Sequence, residues 1–257
     1  MEIYFLGTAS GQSTSKRDNT SLLVKVFNEV FLIDCSGSPV KKISQVGIDF
    51  MNINNILITH VHPDHIYGLP SLVHQMLLKK RKRELNIFCP EKSDSFLHAF
   101  LNLFFEKAKN GFKINISPVR LVEKIKIIDS DHYEIFSFSV EHGIEAIGFK
   151  IVEKNGKSMV YSGDTKPCLN IIKNALDCDL LIHESTFPHQ YEEEVNKGGH
   201  TTSFQAGEIA SLTRAKKLIL THFDSLCENK ESILLKEASV MYKNEILLSF
   251  DMMRIEI

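Results

Sequence analysis

Three histidines and an aspartate lie within six residues in the sequence His60-Val61-His62-Pro63-Asp64-His65. Imidazole nitrogens and carboxylate oxygens are ligands for divalent transition metals. The motif follows an apolar stretch that is typical of a buried strand, and residues two apart in an extended segment face the same side. His60 and His62 can therefore bind one ion, while Pro63 keeps His62 extended. The turn that follows brings Asp64 and His65 to a second position. A histidine-rich surface loop is the alternative interpretation.

Six residues cannot complete two coordination spheres, so further ligands must come from other segments. His142, Asp164 and His222 are candidates because each also follows an apolar strand pattern. The sequence Ile56-Leu57-Ile58-Thr59-His60 recurs as Leu218-Ile219-Leu220-Thr221-His222. Both halves of the chain are therefore expected to deliver a histidine at the carboxyl end of a strand, where sites on sheets usually lie.

The composition of the 257 residues agrees with metal or acid-base chemistry, because eleven histidines stand against five cysteines. A net charge of −2 excludes a globally basic, nucleic-acid-binding surface. The cysteines are scattered without a CxxC pair, which argues against a disulfide framework and favours a reducing, cytoplasmic setting. The amino terminus does not resemble a signal peptide, and no apolar run approaches the roughly 18 residues of a membrane span.

Short apolar runs alternate with helical patterns along the whole chain, which predicts one α/β domain over residues 1–257. Strands are expected at 3–6, 21–27, 30–33, 55–59, 84–88, 132–140, 146–152, 158–162, 180–183, 218–221 and 246–249. Helices are expected at 70–81, 93–107, 166–176, 203–215 and 230–242.

The ordered set of histidines and aspartates resembles the metallo-β-lactamase superfamily of binuclear hydrolases, and within it the ribonuclease Z (tRNA 3′-endonuclease) branch. The branch resemblance is carried by 5–11 (FLGTASG), 32–35 (LIDC), 68–70 (GLP), 183–187 (HESTF) and 200–206 (HTTSFQA). It runs from Met1 to about Ser225 and implies a four-layer αββα sandwich.

By this resemblance, His60, His62 and His142 hold one metal ion, whereas Asp64, His65 and His222 hold the other, and Asp164 bridges them. Zinc is the first expectation for the two divalent ions, with manganese or iron as alternatives. Two such ions make hydroxide from a shared water near neutral pH and stabilise charge in an in-line displacement.

An acid is needed to protonate the departing alkoxide. The resemblance implies that His200 is this general acid and that Glu184 orients it, while Asp64 is a ligand that also takes the proton of the attacking water. A solvated loop histidine is the alternative for His200. His183 is expected in the core or behind a ligand, and no role is assigned to four further histidines, which are His74, His98, His132 and His189.

The sequence indicates the substrate less clearly than it indicates the metal ligands. Family members that process tRNA carry a basic arm between the positions that match His142 and Asp164, but only 21 residues separate these two here. The lysine- and arginine-rich run 79–83 is interpreted as a solvated helix end rather than a phosphate-binding patch. The phenylalanine-rich stretch 96–105 is interpreted as core, with a homodimer contact or a lid as alternatives.

The sequence therefore predicts a metal-dependent phosphodiesterase that resembles ribonuclease Z. RNA is a possible substrate, although the missing arm argues against tRNA. The first alternative is a small-molecule esterase, lactonase, thioesterase or arylsulfatase with the same metal site. The second is a protein that binds metal without catalysing a reaction.

Overall fold

The computed structural model describes residues 1–105 and 111–257, which contain two seven-stranded sheets. The first sheet has the order β14-β1-β2-β3-β4-β5-β6 and consists of β1 (Glu2–Gly7), β2 (Ser21–Val26), β3 (Glu29–Ile33), β4 (Ile53–Leu57), β5 (Leu85–Pro90), β6 (Ile114–Val119) and β14 (Arg254–Glu256). The second has the order β13-β12-β11-β10-β9-β8-β7 and consists of β7 (Ile125–Asp129), β8 (Tyr133–Val140), β9 (Ala146–Glu153), β10 (Ser158–Tyr161), β11 (Leu180–Glu184), β12 (Lys217–Thr221) and β13 (Glu245–Leu248).

Eight α-helices accompany the sheets within these ranges. They are α1 (Pro39–Gln45), α2 (Pro63–Ile66), α3 (Leu69–Leu78), α4 (Asp94–Phe105), α5 (Leu169–Ala175), α6 (Glu192–Lys197), α7 (Ser203–Thr213) and α8 (Glu231–Met241). In the parts of the chain described here, no helix is long and apolar enough to cross a bilayer.

Three apolar clusters hold the layers together. One lies between the sheets and includes Phe31 and Phe149, one from each sheet. Another packs the outer face of the first sheet against α1, α3 and α4, and the third packs the second sheet against α5, α7 and α8. Since each sheet is thus buried on both faces, the predicted αββα sandwich is confirmed. That it folds as a single domain over residues 1–257 stays a prediction.

The parallel pairing of strands determines where the loops that carry the candidate ligands leave the sheets. Strands β3 to β6 are mutually parallel in the first sheet, and β10 to β13 are mutually parallel in the second. Parallel strands present their carboxyl ends at the same edge of a sheet. The residues that follow β10, β11 and β12 therefore lie at one edge of the second sheet. The residues that follow β4, in the first sheet, lie beside that edge, so the strand ends meet as the sequence pattern predicts.

The basic run 79–83 is not the solvated helix end that was expected. Helix α3 ends at Leu78, and the Arg81 side chain is only 3% exposed. Its guanidinium donates hydrogen bonds to carbonyl oxygens of Met51, Arg83 and Glu84 and to Oδ1 of Asn54, at 2.7 to 2.9 Å. The solvated interpretation is wrong for Arg81, which instead links the turn after α3 to Met51 and to Asn54 of β4.

Helix α4 also departs from its expected role. Leu97 and Leu101 are buried, but Phe96, Leu103 and Phe104 are 46%, 80% and 59% exposed. The core interpretation is therefore wrong for one face of this helix. The predicted end of the helix, at 106–107, lies outside the described residues.

Candidate metal centre

The motif at residues 60–65 forms a strand end, an extended bend and one helical turn. His60 follows β4, and His62 is extended (φ −64°, ψ 148°) directly before α2. Pro63 occupies the first turn of α2, where its missing N–H costs no hydrogen bond. The helical turn then presents Asp64 and His65 beside the pair of histidines, as the sequence predicts.

The remaining candidates come from the second sheet. His142 follows β8, Asp164 follows β10, and His222 follows β12 in a left-handed conformation (φ 61°). All seven predicted ligands are brought together in two adjacent clusters. These are His60, His62 and His142, and then Asp64, His65, Asp164 and His222, with the candidate ligand atoms of each cluster within 4.8 Å of one another.

Distances inside the clusters place Asp164 between them. In the first cluster, Nδ1 of His62 lies 3.0 Å from Nε2 of His60 and 3.1 Å from Nε2 of His142. In the second, Oδ2 of Asp164 lies 3.3 Å from Nε2 of His65 and 3.1 Å from Nε2 of His222. The same oxygen is 3.8 Å from Nε2 of His60. One carboxylate oxygen thus borders both groups of nitrogens.

The imidazoles of His60, His65, His142 and His222 each have a hydrogen-bond partner at the nitrogen that faces away from the clusters. The Nδ1–H of His65 donates to Oδ2 of Asp34 at 2.8 Å, and that of His142 donates to the Gly199 carbonyl at 2.8 Å. The Nδ1 atoms of His60 and His222 each lie 3.1 Å from a threonine hydroxyl, of Thr59 and Thr186 respectively. Such partners fix the tautomer that directs a lone pair into the site.

The hydrogen bonding of the clusters fits a cation. His65 Nε2, His222 Nε2 and Asp164 Oδ1 are buried and make no hydrogen bond in the described structure. Buried polar atoms almost always have a hydrogen-bond partner, so three atoms without one in a single cluster require an explanation. A divalent ion among these nitrogen and oxygen donors would supply the missing partner.

The pKa shifts of the histidines also indicate a site for a cation. Burial lowers the pKa of His60 well below 6.5, and the neighbouring His65 lowers it further. Burial also opposes charge on His65 and His222, but Asp164 outweighs it, so the pKa of His65 lies well above 6.5 and that of His222 is raised to about 10. The second cluster thus favours positive charge, which a metal ion can provide in place of protons.

A histidine-carboxylate pair lies at the edge of the clusters. Nδ1–H of His200 donates to Oε1 of Glu184 at 2.9 Å, and Glu184 also accepts hydrogen bonds from Thr165 N at 2.7 Å and Thr186 Oγ1 at 2.6 Å. Glu184 is 1% exposed, whereas the His200 side chain is 23% exposed. Burial opposes the imidazolium, but the Glu184 and Asp164 carboxylates raise the pKa of His200 above 6.5.

The structure places the other histidines away from this chemistry. His183 is buried and its Nδ1–H donates to the carbonyl of Glu184 at 2.8 Å. The four histidines without an assigned role (His74, His98, His132 and His189) are absent from every metal-competent group in the described residues. The sequence reasoning missed Asp34, Thr59, Thr186 and Gly199 as partners of the candidate ligands, although Asp34 and Thr186 lie in stretches that carry the family resemblance.

Comparison with known proteins identifies the group to which this site belongs. The model of the family described as Anti-Pycsar protein Apyc1 matches residues 1–244. Ribonuclease Z from Picrophilus torridus is 30% identical over 302 aligned positions, which cover 100% of this chain and 96% of that protein. Ribonuclease Z from Pyrococcus horikoshii is 31% identical over 270 positions, 86% of each chain.

A solved structure extends the likeness to the whole fold. The crystal structure of the short form of human tRNase Z matches with a TM-score of 0.84 at 25% identity, over 100% of this chain and 99% of that one. The predicted resemblance, the fold and the assignment as a metal-dependent hydrolase of phosphodiesters are thereby confirmed. The chain belongs to the family described as Anti-Pycsar protein Apyc1 and is related over its full length to the ribonuclease Z enzymes.

Proposed function

We propose that the protein hydrolyses small or single-stranded nucleotide phosphodiesters at a two-zinc centre, with His200 as the general acid. The observation that carries this proposal is the pair of clusters that share Asp164, with the His200–Glu184 pair at their edge. In this proposal, His60, His62 and His142 would hold one ion, Asp64, His65 and His222 would hold the other, and Asp164, which borders both clusters, would be a ligand to each. When bound, two such ions acidify a water and neutralise charge on the phosphoryl oxygens.

The protein's own groups supply the proton for the leaving alcohol. Because Nδ1 of His200 is engaged by Glu184, its Nε2 is the nitrogen free to donate to the departing oxygen. The raised pKa of His200 keeps that proton available near neutral pH. Glu184 fixes the ring orientation and stabilises the imidazolium.

The role of Asp64 as a ligand is better supported than its role as a proton acceptor. Burial opposes its ionisation, but hydrogen bonds with His222 and His65 outweigh burial and hold the pKa of Asp64 well below its usual value. A carboxylate with so low a pKa binds a cation well and accepts a proton poorly. We therefore assign Asp64 mainly to metal binding.

The proposal of a small or single-stranded substrate depends on the absence of the basic arm between His142 and Asp164. Since the chain has 257 residues, at least 45 of the 302 positions aligned with the Picrophilus ribonuclease Z lie opposite gaps in it. Between His142 and Asp164 the structure has only the hairpin of β9 and β10. A clasp that tracks the tRNA backbone would supply much of the affinity for tRNA. Its absence favours substrates that need no such grip.

The other sequence-based alternatives gain less support. The relatives named ribonuclease Z favour phosphodiesters over small carboxylic or sulfate esters. A protein that only stores metal would not need the His200–Glu184 pair at the cluster edge. Homodimer formation through the exposed face of α4 and a cytoplasmic location stay predictions.

Metal analysis of the purified protein tests the two-ion centre. The wild type should contain about two zinc ions per chain, and Asp164→Ala should contain one or none, because Asp164 borders both clusters. Lys166 is a half-exposed neighbour on the same loop, and Lys166→Ala should retain both ions. A wild type that cannot be loaded with two ions would contradict the proposal.

A substrate panel tests the reaction and the acid. Cyclic nucleotides and short oligonucleotides should be cleaved faster than precursor tRNA, a lactone or a thioester. His200→Ala should slow hydrolysis of an alkyl phosphodiester by roughly 10²- to 10⁴-fold, but slow that of a nitrophenyl phosphodiester far less, because nitrophenolate leaves without a proton. Equal losses on both would show that His200 is not the acid.

A further inference from the structure

An apolar cavity of about 230 Å³ opens beside His200 and is not part of the metal clusters. It is bordered by the segment that connects β11 to α7, and its lining consists of Phe187, Tyr191, Glu194, Val195, Gly198 and His200. Pockets that enclose drug-sized ligands run from about 300 to 1,000 Å³. The cavity is therefore suited to one ring system rather than to a whole nucleotide.

The position of His200 connects this cavity to the reaction. One side of the imidazole lines the cavity, while its ring centroid lies 4.9 Å from that of His142 and 5.5 Å from that of His222. A group that receives a proton from His200 is therefore adjacent to the cavity. In the proposed function that group is the oxygen of the leaving alcohol.

Two aromatic rings form the wall of the cavity. The centroids of Phe187 and Tyr191 are 5.8 Å apart, and their planes are inclined at 62°. Tyr191 is 40% exposed, so its ring is available at the mouth, while Phe187 is partly buried against the apolar cluster of the second sheet. In proteins that bind single-stranded nucleic acids, accessible aromatic side chains are the surfaces on which bases stack.

The other side of the segment between β11 and α7 is polar rather than apolar. A second cavity, of about 380 Å³, is bordered by His142, Gly199 and two lysines, Lys166 and Lys197. Glu141 also borders it and pairs with Lys166 at 3.1 Å, which leaves Lys197 as the lining lysine that this carboxylate does not pair with. This polar lining suits phosphate or sugar oxygens better than a nucleobase. The two cavities thus divide the surroundings of the metal clusters into an apolar side at His200 and a polar side at His142.

We propose that the cavity lined by Phe187 and Tyr191 binds the nucleobase carried by the leaving alcohol, and so determines specificity for nucleosides on that side of the phosphorus. This inference rests on the proposed function. In the step that this inference concerns, a water loses one proton to solvent and its oxygen bonds to phosphorus. The bond from phosphorus to the sugar oxygen breaks, and the sugar oxygen takes the proton from His200. Tyr191 acts by positioning the base and takes no part in proton transfer.

The test uses thymidine methyl phosphate, as its 3′ and 5′ isomers, and the matching abasic sugar methyl phosphates. Release of methyl phosphate reports only the cleavage in which the sugar alcohol leaves. The measured quantity is the ratio of kcat/KM for the thymidine substrate to that for its abasic counterpart, which cancels any general loss of activity. The full-length, zinc-loaded protein is compared with Tyr191→Ala, Tyr191→Phe and Leu226→Ala.

The wild type should prefer the thymidine substrate, and Tyr191→Ala should reduce the preference by roughly 5- to 100-fold, the range expected for one stacked base. Tyr191→Phe should restore it, since the ring is kept. Leu226 lines the neighbouring groove on the other side of Phe187 and Tyr191, so Leu226→Ala should leave the preference unchanged. A wild type that cleaves both substrates equally, or a Tyr191→Ala protein with the wild-type ratio, overturns the inference but leaves the phosphodiesterase proposal standing. Failure to cleave any phosphodiester overturns both.

Discussion

Replacing Gly199 by alanine should weaken metal binding without removing any candidate ligand. Gly199 has φ +82°, a left-handed conformation that costs a residue with a Cβ atom about 1–2 kcal/mol. A Cβ atom built there would lie 2.9 Å from both Nδ1 of His142 and N of Gly143, closer than such atoms approach without displacement. The Gly199 carbonyl also accepts the hydrogen bond that orients His142.

The expected magnitude follows from these contacts. The new methyl group must push the His142 ring or the backbone beneath it, so the hydrogen bond from Nδ1 is lost or misaligned. Loss of a partner that orients a ligand typically lowers metal affinity by 10- to 100-fold. We expect a loss in this range for the ion held by His142.

Gly198→Ala is the matched control, because the neighbouring glycine has an ordinary φ of −73° and its nearest contact for a Cβ atom is 3.4 Å. Zinc affinities of both variants can be measured by competition with a chelating dye, after confirming by circular dichroism that both are folded. Gly198→Ala should bind like the wild type. If Gly199→Ala binds zinc as tightly as Gly198→Ala, the reasoning about His142 is refuted.

Three further predictions test other parts of the structure. Glu184→Gln should move the alkaline limb of the pH profile of kcat/KM for an alkyl phosphodiester down by about 1–3 units, because losing the carboxylate lowers the pKa of His200; an unmoved limb would contradict the pairing. Arg81→Ala should reduce the free energy of unfolding, measured by denaturant titration, by about 3 kcal/mol because its buried charged hydrogen bonds are lost. Lys82 is an exposed neighbour, so Lys82→Ala should change the free energy of unfolding by less than about 0.5 kcal/mol in the same titration. Cys89, Cys178 and Cys227 should react with a thiol reagent only after denaturation, because burial raises the pKa of each thiol to about 12; rapid labelling of the native protein would count against this burial.

The candidate ligands could be predicted because strand ends and histidine spacing are local properties of the sequence. An apolar run such as 56–59 predicts a buried strand, and the polar residue after it is then expected at the edge of the sheet. Strands β6, β7 and β14, by contrast, were not predicted. All three lie at edges of the two sheets, where fewer neighbours cover them. Edge strands need no continuous apolar run, so their sequences lack the signal on which the prediction depended.

The partners that orient the ligands could not be predicted because they depend on register between distant strands. Asp34 reaches Thr59 and His65 because β3 pairs in parallel with β4, which places Ile33 opposite Leu57. Nothing in the sequence of either strand fixes that alignment alone. Tyr191 was missed for a similar reason, since the segment before α6 showed no regular pattern and only the fold brings it beside His200.

The two metal clusters also explain why both sheets are needed for one site. His60 and His62 follow a strand of the first sheet, but their third partner, His142, follows a strand of the second. The other cluster is divided in the same way, because Asp64 and His65 come from the first sheet and Asp164 and His222 from the second. A cation in either cluster therefore links the two halves of the sandwich. Since an ion that binds only the folded state stabilises it by mass action, assembly of the site and packing of the sheets are thermodynamically coupled.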